Sequence, residues 1–208
     1  MVYVKKVSLS IRLSSLFFIF LPHYAISSQP LYEQRCTSCH SAKAEGSEAS
    51  QAPAIAGLDK SYIVRQLNNF KHGIRGHKND DSYAQAMSSI AQTISESEIR
   101  SLAQYIQSIP INNLIQENRP ISLRGRGLYS GCSSCHGPNG EGNKNLDTPR
   151  ISNQHIWYLK KQLEKFRSDL RGTDNKDYFG IQMNSMAKDI KGQDDIETLV
   201  NYISSLGK

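Results

Sequence analysis

The sequence has no apolar run reaching the roughly 18 residues that cross a bilayer as a helix, which excludes an integral membrane bundle. It lacks the alternation of apolar and polar residues that marks a strand, so no sheet is expected. Low-complexity stretches are few and 21% of residues are charged, which excludes a wholly disordered chain. Apolar residues are themselves scarce. At 38% of 208 positions they are thin cover for two protein-only cores, although the length suits one ordinary domain or two small ones. Something besides side chains is therefore expected to fill the interior. Cysteine is scarcer still: four copies occur only as the pairs Cys36/Cys39 and Cys132/Cys135, each spaced C-x-x-C and each followed at once by a histidine.

The first residues read as an export signal. Lys5, Lys6 and Arg12 supply a positive start, Leu13 to Leu21 a short apolar stretch, and Ala25-Ile26-Ser27 small residues at a cleavage point after about residue 27. The competing reading, an uncleaved membrane anchor, is disfavoured because Pro22 and His23 close the apolar run early. Export places the mature protein outside the cytoplasm. Without residues 1–27 the formal charge falls from +6 to +3, 22 Lys and Arg against 19 Asp and Glu. The remainder is uneven: residues 28–117 hold 8 basic and 9 acidic side chains, and 118–208 hold 14 and 10. Such a polarity steers docking to protein partners and fades with salt. Nucleic acid is a poor alternative, because no compact basic stripe is interleaved with aromatics.

Sliding the chain on itself by 96 residues superimposes Cys36, Cys39 and His40 on Cys132, Cys135 and His136, and Pro53 on Pro149. At the same offset Tyr62 meets Tyr158, Gln66-Leu67 meets Gln162-Leu163, Phe70 meets Phe166, Arg75-Gly76 meets Arg171-Gly172, and Met87 meets Met183. One extra residue near 191–193 shifts the offset to 97, pairing Ile99 with Ile196 and Tyr105-Ile106 with Tyr202-Ile203. The chain is thus one small unit written twice, as residues 28–112 and 122–208, with a linker at 113–121. Apolar spacing predicts a helix over Ser61 to Phe70 and its twin over Tyr158 to Phe166. A capping box at Ser95/Glu98 predicts a last helix with Ile99, Leu102, Ile106 and Ile109 inward, stopped by Pro110. Its twin runs from about Gln193, with Ile196, Leu199, Val200, Ile203 and Leu206 inward, to Gly207.

A C-x-x-C-H sequence is the attachment signature of a c-type haem. Two thiols on one turn add across the two porphyrin vinyl groups, and the adjacent imidazole then meets the iron. Three other readings compete. Cysteines three apart on a turn are poorly placed for an unstrained disulfide and would not call for His40 and His136. Neighbouring Cys39 and His40 do not easily face one tetrahedral zinc ion. A thioredoxin-like dithiol wants a strand–helix context that is missing.

The chain resembles a small class I cytochrome c written twice, and is most similar to the dihaem cytochromes of the cytochrome c-four type, across nearly all of residues 29–208. The matching text is Cys132-Ser133-Ser134-Cys135-His136-Gly137, Gln154-His155 followed by Tyr158 and Gln162-Leu163, and the Met-x-x-Met/Ile segments before each last helix. The resemblance implies an all-α protein of two tandem cytochrome c-like domains, each wrapped around one covalent haem. It also implies His/Met axial ligation and single-electron transfer in the periplasm. The implied partners are redox proteins such as a terminal oxidase or a cytochrome reductase, met in solution or through peripheral membrane association.

A thioether on the far side of the iron favours reversible electron transfer, whereas an open position admits small molecules. Beyond the leader the chain contains only Met87, Met183 and Met186. Met87 lies 51 residues past Cys36 and Met183 lies 51 past Cys132, in what reads as a loop ahead of the last helix. The repeat therefore selects Met87 and Met183 as axial ligands opposite His40 and His136. Met186, whose counterpart is Ile90, is the alternative in the second copy. Pro53 and Pro149 each follow their histidine by 13 residues, and in similar cytochromes that proline carbonyl receives the other ring N–H. Arg75 and Arg171 are candidates for the haem propionates or for a simple surface role in polar loops. His72, His77 and His155 read as solvated surface residues. The expected function is an electron carrier rather than an enzyme. The rivals are a small haem peroxidase, a sulfur-compound dehydrogenase, or a haem subunit of a larger periplasmic oxidoreductase, and no acid–base cluster is repeated beside the haem motifs to support the enzymes.

Overall fold

The structure is a computed structural model that describes Met1 and residues 28–78, 81–112 and 122–207; the expected leader and linker lie outside the described residues. Among the described residues there is no strand, only the isolated bridges Ser47/Ala52 and Asn143/Thr148, themselves 96 positions apart. No helix of the described residues is long and apolar enough to cross a membrane.

The first repeat consists of α1 (Ser28–Arg35), α2 (Thr37–His40), α3 (Lys60–Lys71), α4 (Ser82–Gln92) and α5 (Glu96–Ser108). The second consists of α6 (Leu123–His136), a 3-10 turn at Lys144–Leu146, α7 (Ile156–Arg167), α8 (Tyr178–Lys188) and α9 (Gln193–Ser204). α3 and α7 start and stop in the same register, as do α4 and α8. Within each repeat the helix after the histidine loop packs on the two that follow it, and the first helix packs on the last. The last helices bury the expected stripes, Ile99, Leu102 and Ile106 in α5 and Ile196, Leu199, Val200 and Ile203 in α9. The Ser95/Glu98 capping box is formed, Glu98 N to Ser95 Oγ at 3.3 Å and Ser95 N to Glu98 Oε2 at 2.7 Å. α9 stops at Ser204, short of the expected Gly207, and Leu206 packs on the core from beyond the helix.

The segments carrying Met87 and Met183, expected as loops, are helices α4 and α8. Asp81 and Asp177 cap them, accepting from Ala84 N at 3.1 Å and Gly180 N at 3.0 Å. The buried positions of α4 are Ala84, Ser88 and Ala91, a small-residue stripe at helical spacing that lets it lie close to α3.

The first helices also differ between the repeats in a way the alignment missed. Tyr32 and Tyr129 are both buried, hydrogen-bond Ser41 O at 2.8 Å and Gly137 O at 2.7 Å, and tilt against Tyr105 and Tyr202 with centroids 5.4 and 5.5 Å apart. Four positions separate Tyr32 from Cys36, but only three separate Tyr129 from Cys132. The extra residue is absorbed by breaking the helix at Cys36, so α1 and α2 together match the unbroken α6. Both the tyrosine and the cysteine then keep their places. In the second repeat α6 and α9 approach at Gly125, where an added Cβ would stand 2.6 Å from Tyr202 Cβ. Gly125→Ala is expected to force the helices apart and to cost about 1–3 kcal/mol, read as a lower denaturant midpoint of the haem-loaded protein with α-helical content retained at zero denaturant.

Candidate haem-binding sites

Each cysteine pair ends its helix beside a buried histidine. Cys36 stands at the break between α1 and α2, Cys39 and His40 in α2, and Cys132, Cys135 and His136 in the last turn of α6. The chain then turns back on itself: Gly46 N bonds His40 O at 2.9 Å and Gly142 N bonds His136 O at 2.7 Å. Both glycines have positive φ, 79° and 83°, and a Cβ on either would meet the proline segment within 2.8 Å. Only glycine allows so tight a return. The amides of Ile55 and Ala56 then bind Ala44 O at 2.8 and 3.0 Å, and those of Ile151 and Ser152 bind Gly140 O at 2.8 and 2.9 Å.

These bonds place Pro53 O 2.9 Å from His40 Nδ1 and Pro149 O 2.8 Å from His136 Nδ1. A carbonyl oxygen only accepts, so Nδ1 carries the proton and the lone pair of Nε2 is left available in each neutral ring. Burial pushes the pKa of both histidines down, against the opposing pull of the proline bonds, and so favours that neutral form. An oriented imidazole with a free lone pair is what an iron ligand requires.

The thiols fit the same purpose. All four cysteines are free, and burial pushes the Cys36 thiol up to about 11 and raises Cys132. A redox dithiol or a zinc thiolate needs the opposite shift. Among the described residues no group of three or more His, Cys, Asp and Glu side chains could hold a metal ion, which removes the geometry a zinc site needs.

Met87 is half-buried on α4 against Phe70, Ala84 and Ala91, and Met183 is half-buried at the matching position of α8. Met186 is 46% exposed, while its counterpart Ile90 packs on the core of the first repeat. His72 and His77 are exposed, as expected. His155 is not a free surface residue: it is half-buried, stacks on Trp157, and donates from Nε2 to Glu45 O at 2.7 Å across the repeats. Beside it Gln154 is buried and makes two bonds to one backbone unit of the first repeat, from Ala54 N at 3.1 Å and to Ala54 O at 2.8 Å. Arg150 adds a third tie, Nη2 to Ala56 O at 2.7 Å.

Arg75 and Arg171 likewise lie between the repeats and not in open loops. Arg75 donates to Gln66 Oε1 at 2.6 Å and to Gln162 Oε1 at 3.1 Å. Arg171 mirrors it, donating to Gln162 Oε1 at 2.6 Å and to Gln66 Oε1 at 3.1 Å. Each guanidinium lies 4.4 Å over a phenylalanine of its own repeat, Phe70 or Phe166. Among the described residues neither arginine pairs with a carboxylate, and the nearby Asp81 is taken by Lys165 at 2.6 Å. Arg171 Nε is buried without a partner, and burial together with the charge of Arg75 pushes this guanidinium below its ordinary pKa. Arg75 also reaches the Tyr158 hydroxyl at 3.4 Å, so the two cations are gathered around neutral oxygens, an arrangement that calls for anions. A haem in each repeat, fixed through the cysteines and histidine, would bring carboxylates of the kind that guanidinium binds, so the residues present fit the group.

A family model described as Cytochrome c matches residues 27–110 and again 122–207. Cytochrome c4 of Azotobacter vinelandii is 30% identical over 182 residues, spanning 82% of this chain and 84% of that protein. The thiosulfate dehydrogenase electron acceptor of Stutzerimonas stutzeri strain A1501 is 27% identical over 184 residues, spanning 83% and 79%. Reduced recombinant cytochrome c4 from Pseudomonas stutzeri superposes with a TM-score of 0.70 at 26% identity, over 86% of this chain and 97% of that one.

Proposed function

Since the chain belongs to the cytochrome c family, in its dihaem cytochrome c4 branch, we propose that it is a periplasmic carrier of single electrons between a donor dehydrogenase or reductase and a terminal oxidase. The observation that carries this reading is the duplicated site, two buried histidines each held by a proline carbonyl beside a free cysteine pair. When bound, each haem supplies a reversible one-electron couple at its iron. The protein contributes the rest. Cys36, Cys39, Cys132 and Cys135 would hold the two groups covalently, and His40 and His136, their rings fixed by Pro53 and Pro149, would ligate the irons. Met87 and Met183 would supply thioether sulfur to the irons, a ligand that favours reversible electron transfer over binding of a substrate. Arg75 and Arg171, which meet between the repeats, would neutralise haem propionates there.

The name of the Stutzerimonas relative makes a sulfur-compound dehydrogenase a reasonable donor, with this chain as acceptor rather than enzyme. Protein matured in a host that attaches c-type haem is expected to contain two haem c groups per chain by alkaline pyridine spectra, to be fully reduced by one electron per haem, and to bind carbon monoxide at neither. Ready carbon monoxide binding by the reduced wild-type protein, or turnover of thiosulfate or peroxide without a partner, would replace the carrier reading with the enzyme one.

A further inference from the structure

The two methionine helices are capped alike but anchored differently. Asp81 caps α4 and also receives Lys165 Nζ at 2.6 Å, from helix α7 of the other repeat. The pair is sheltered, with side chains 18% and 8% exposed for Lys165 and Asp81. Asp177 caps α8 and is as deeply buried, yet among the described residues it has no basic partner. The reason is in the alignment: the position 96 residues before Lys165 is Asn69, which has no charge to offer. The amide that Asp81 caps belongs to Ala84, which packs with Phe70 and Ala91 in the small cluster that supports Met87. A charge of the second repeat therefore forms a buried ion pair at the start of the helix that presents the methionine of the first; in the other direction the described residues show no ion pair, only Arg65 of the first repeat lying 4.0 Å over Phe179 in the first turn of α8.

Resting on the reading of Met87 as an axial ligand, we propose that Lys165 is a positioning residue for that ligand, so that closure of the first haem depends on a buried charge of the docked second repeat, a charge that Asn69 does not return to the second haem. Without Lys165, Asp81 is left as a buried carboxylate short of its partner, and such groups rearrange to reach water. The cap and the first turn of α4 move with it, and Met87 sits on the second turn. The electron carrier then has one haem whose sixth ligand senses how its two halves are seated.

The test uses the full chain with both haems. The methyl signals of iron-bound methionines, shifted upfield in the proton NMR spectrum of the reduced protein, are assigned with Met87→Ala and Met183→Ala, and imidazole is titrated into the oxidised protein. Lys165→Gln is expected to raise the imidazole affinity of the first haem by an order of magnitude or more, because part of the cost of an orphaned buried carboxylate suffices. The second haem stays as in wild type, and Lys165→Arg restores most of the wild-type behaviour. Asp81→Asn keeps a residue able to cap the helix and leaves no carboxylate to be orphaned, so added to Lys165→Gln it should bring the imidazole affinity of the first haem back towards wild type. A purely electrostatic influence predicts something else: Lys165→Gln lowers the first potential, Asp81→Asn raises it, and imidazole affinity does not move. That pattern, or equal weakening of both haems, overturns the proposal. If Met87→Ala itself leaves imidazole binding at the first haem unchanged, Met87 is not the ligand, and the underlying reading falls with the proposal.

Discussion

Replacing Cys36 and Cys39 together with alanine is expected to yield a chain with one haem, in the second repeat, and an unfolded first repeat. The core explains the size of the effect. The main buried apolar cluster of the first repeat consists of Tyr32, Leu58, Ile63, Ile94, Ile99, Leu102 and Ile106, with Ala44, Ala56 and Ala103 filling in. Three of those ten are alanines, and a domain of this size has little stability to spare. A large flat macrocycle would stand in for the missing side-chain volume, held there by thioethers to Cys36 and Cys39. Without it, burial of His40 also loses its purpose, since the ring keeps one bond to Pro53 and leaves the other nitrogen without a partner. The readouts are the pyridine spectrum, which should fall to half per chain, and amide exchange, which should lose protection in α3 and α5 but not in α7 and α9. A variant that loses one haem yet keeps slow exchange in α5 would show that the side chains alone hold the first repeat together.

The repeat itself was legible because the chemistry tolerates so little change in spacing. The cysteines, histidine and proline of each copy had to recur at one offset, and the structure shows why: His40 to Pro53 and His136 to Pro149 are the same bond. Helices α3, α5, α7 and α9 were legible from large apolar residues at helical spacing. Helix α4 was not, since its buried face is Ala84, Ser88 and Ala91, residues too small to stand out in a hydrophobic pattern. The paired tyrosines escaped because their offset is 97 while the adjacent cysteines keep 96, a difference taken up by the break at Cys36. Contacts between the copies were illegible for a more general reason. An alignment of a repeat with itself reports what the copies share, whereas Gln154, His155 and Lys165 act on the first repeat from positions whose counterparts, Leu58, Asp59 and Asn69, do something else.

Met183→Ala is expected to open the second haem, and Met186→Ala to leave it closed. The two side chains are three residues apart on α8, about 60° from each other around the helix axis, so both can be imagined at the same iron. Their neighbours separate them. Met183 holds the position that Met87 holds in α4, half-buried on the same turn. Met186 holds the position of Ile90, a side chain with no donor atom that packs on the core beside α4. Since the first repeat works with an isoleucine there, the second is expected to use Met186 for packing, and its end indeed lies near Gly131, 3.7 Å from where a Cβ would be. Loss of the thioether should remove the weak far-red band of the oxidised second haem, lower its potential, and admit carbon monoxide to the reduced iron. Met87→Ala should do the same to the first haem alone. Met186→Ala should keep the band and cost only packing, on the order of 1 kcal/mol for a side chain this exposed. The opposite result, with the band lost in Met186→Ala and kept in Met183→Ala, would mean that the one-turn shift between ligand and packing methionine differs between the copies, and that the second haem sits a step further along α8 than the first does along α4.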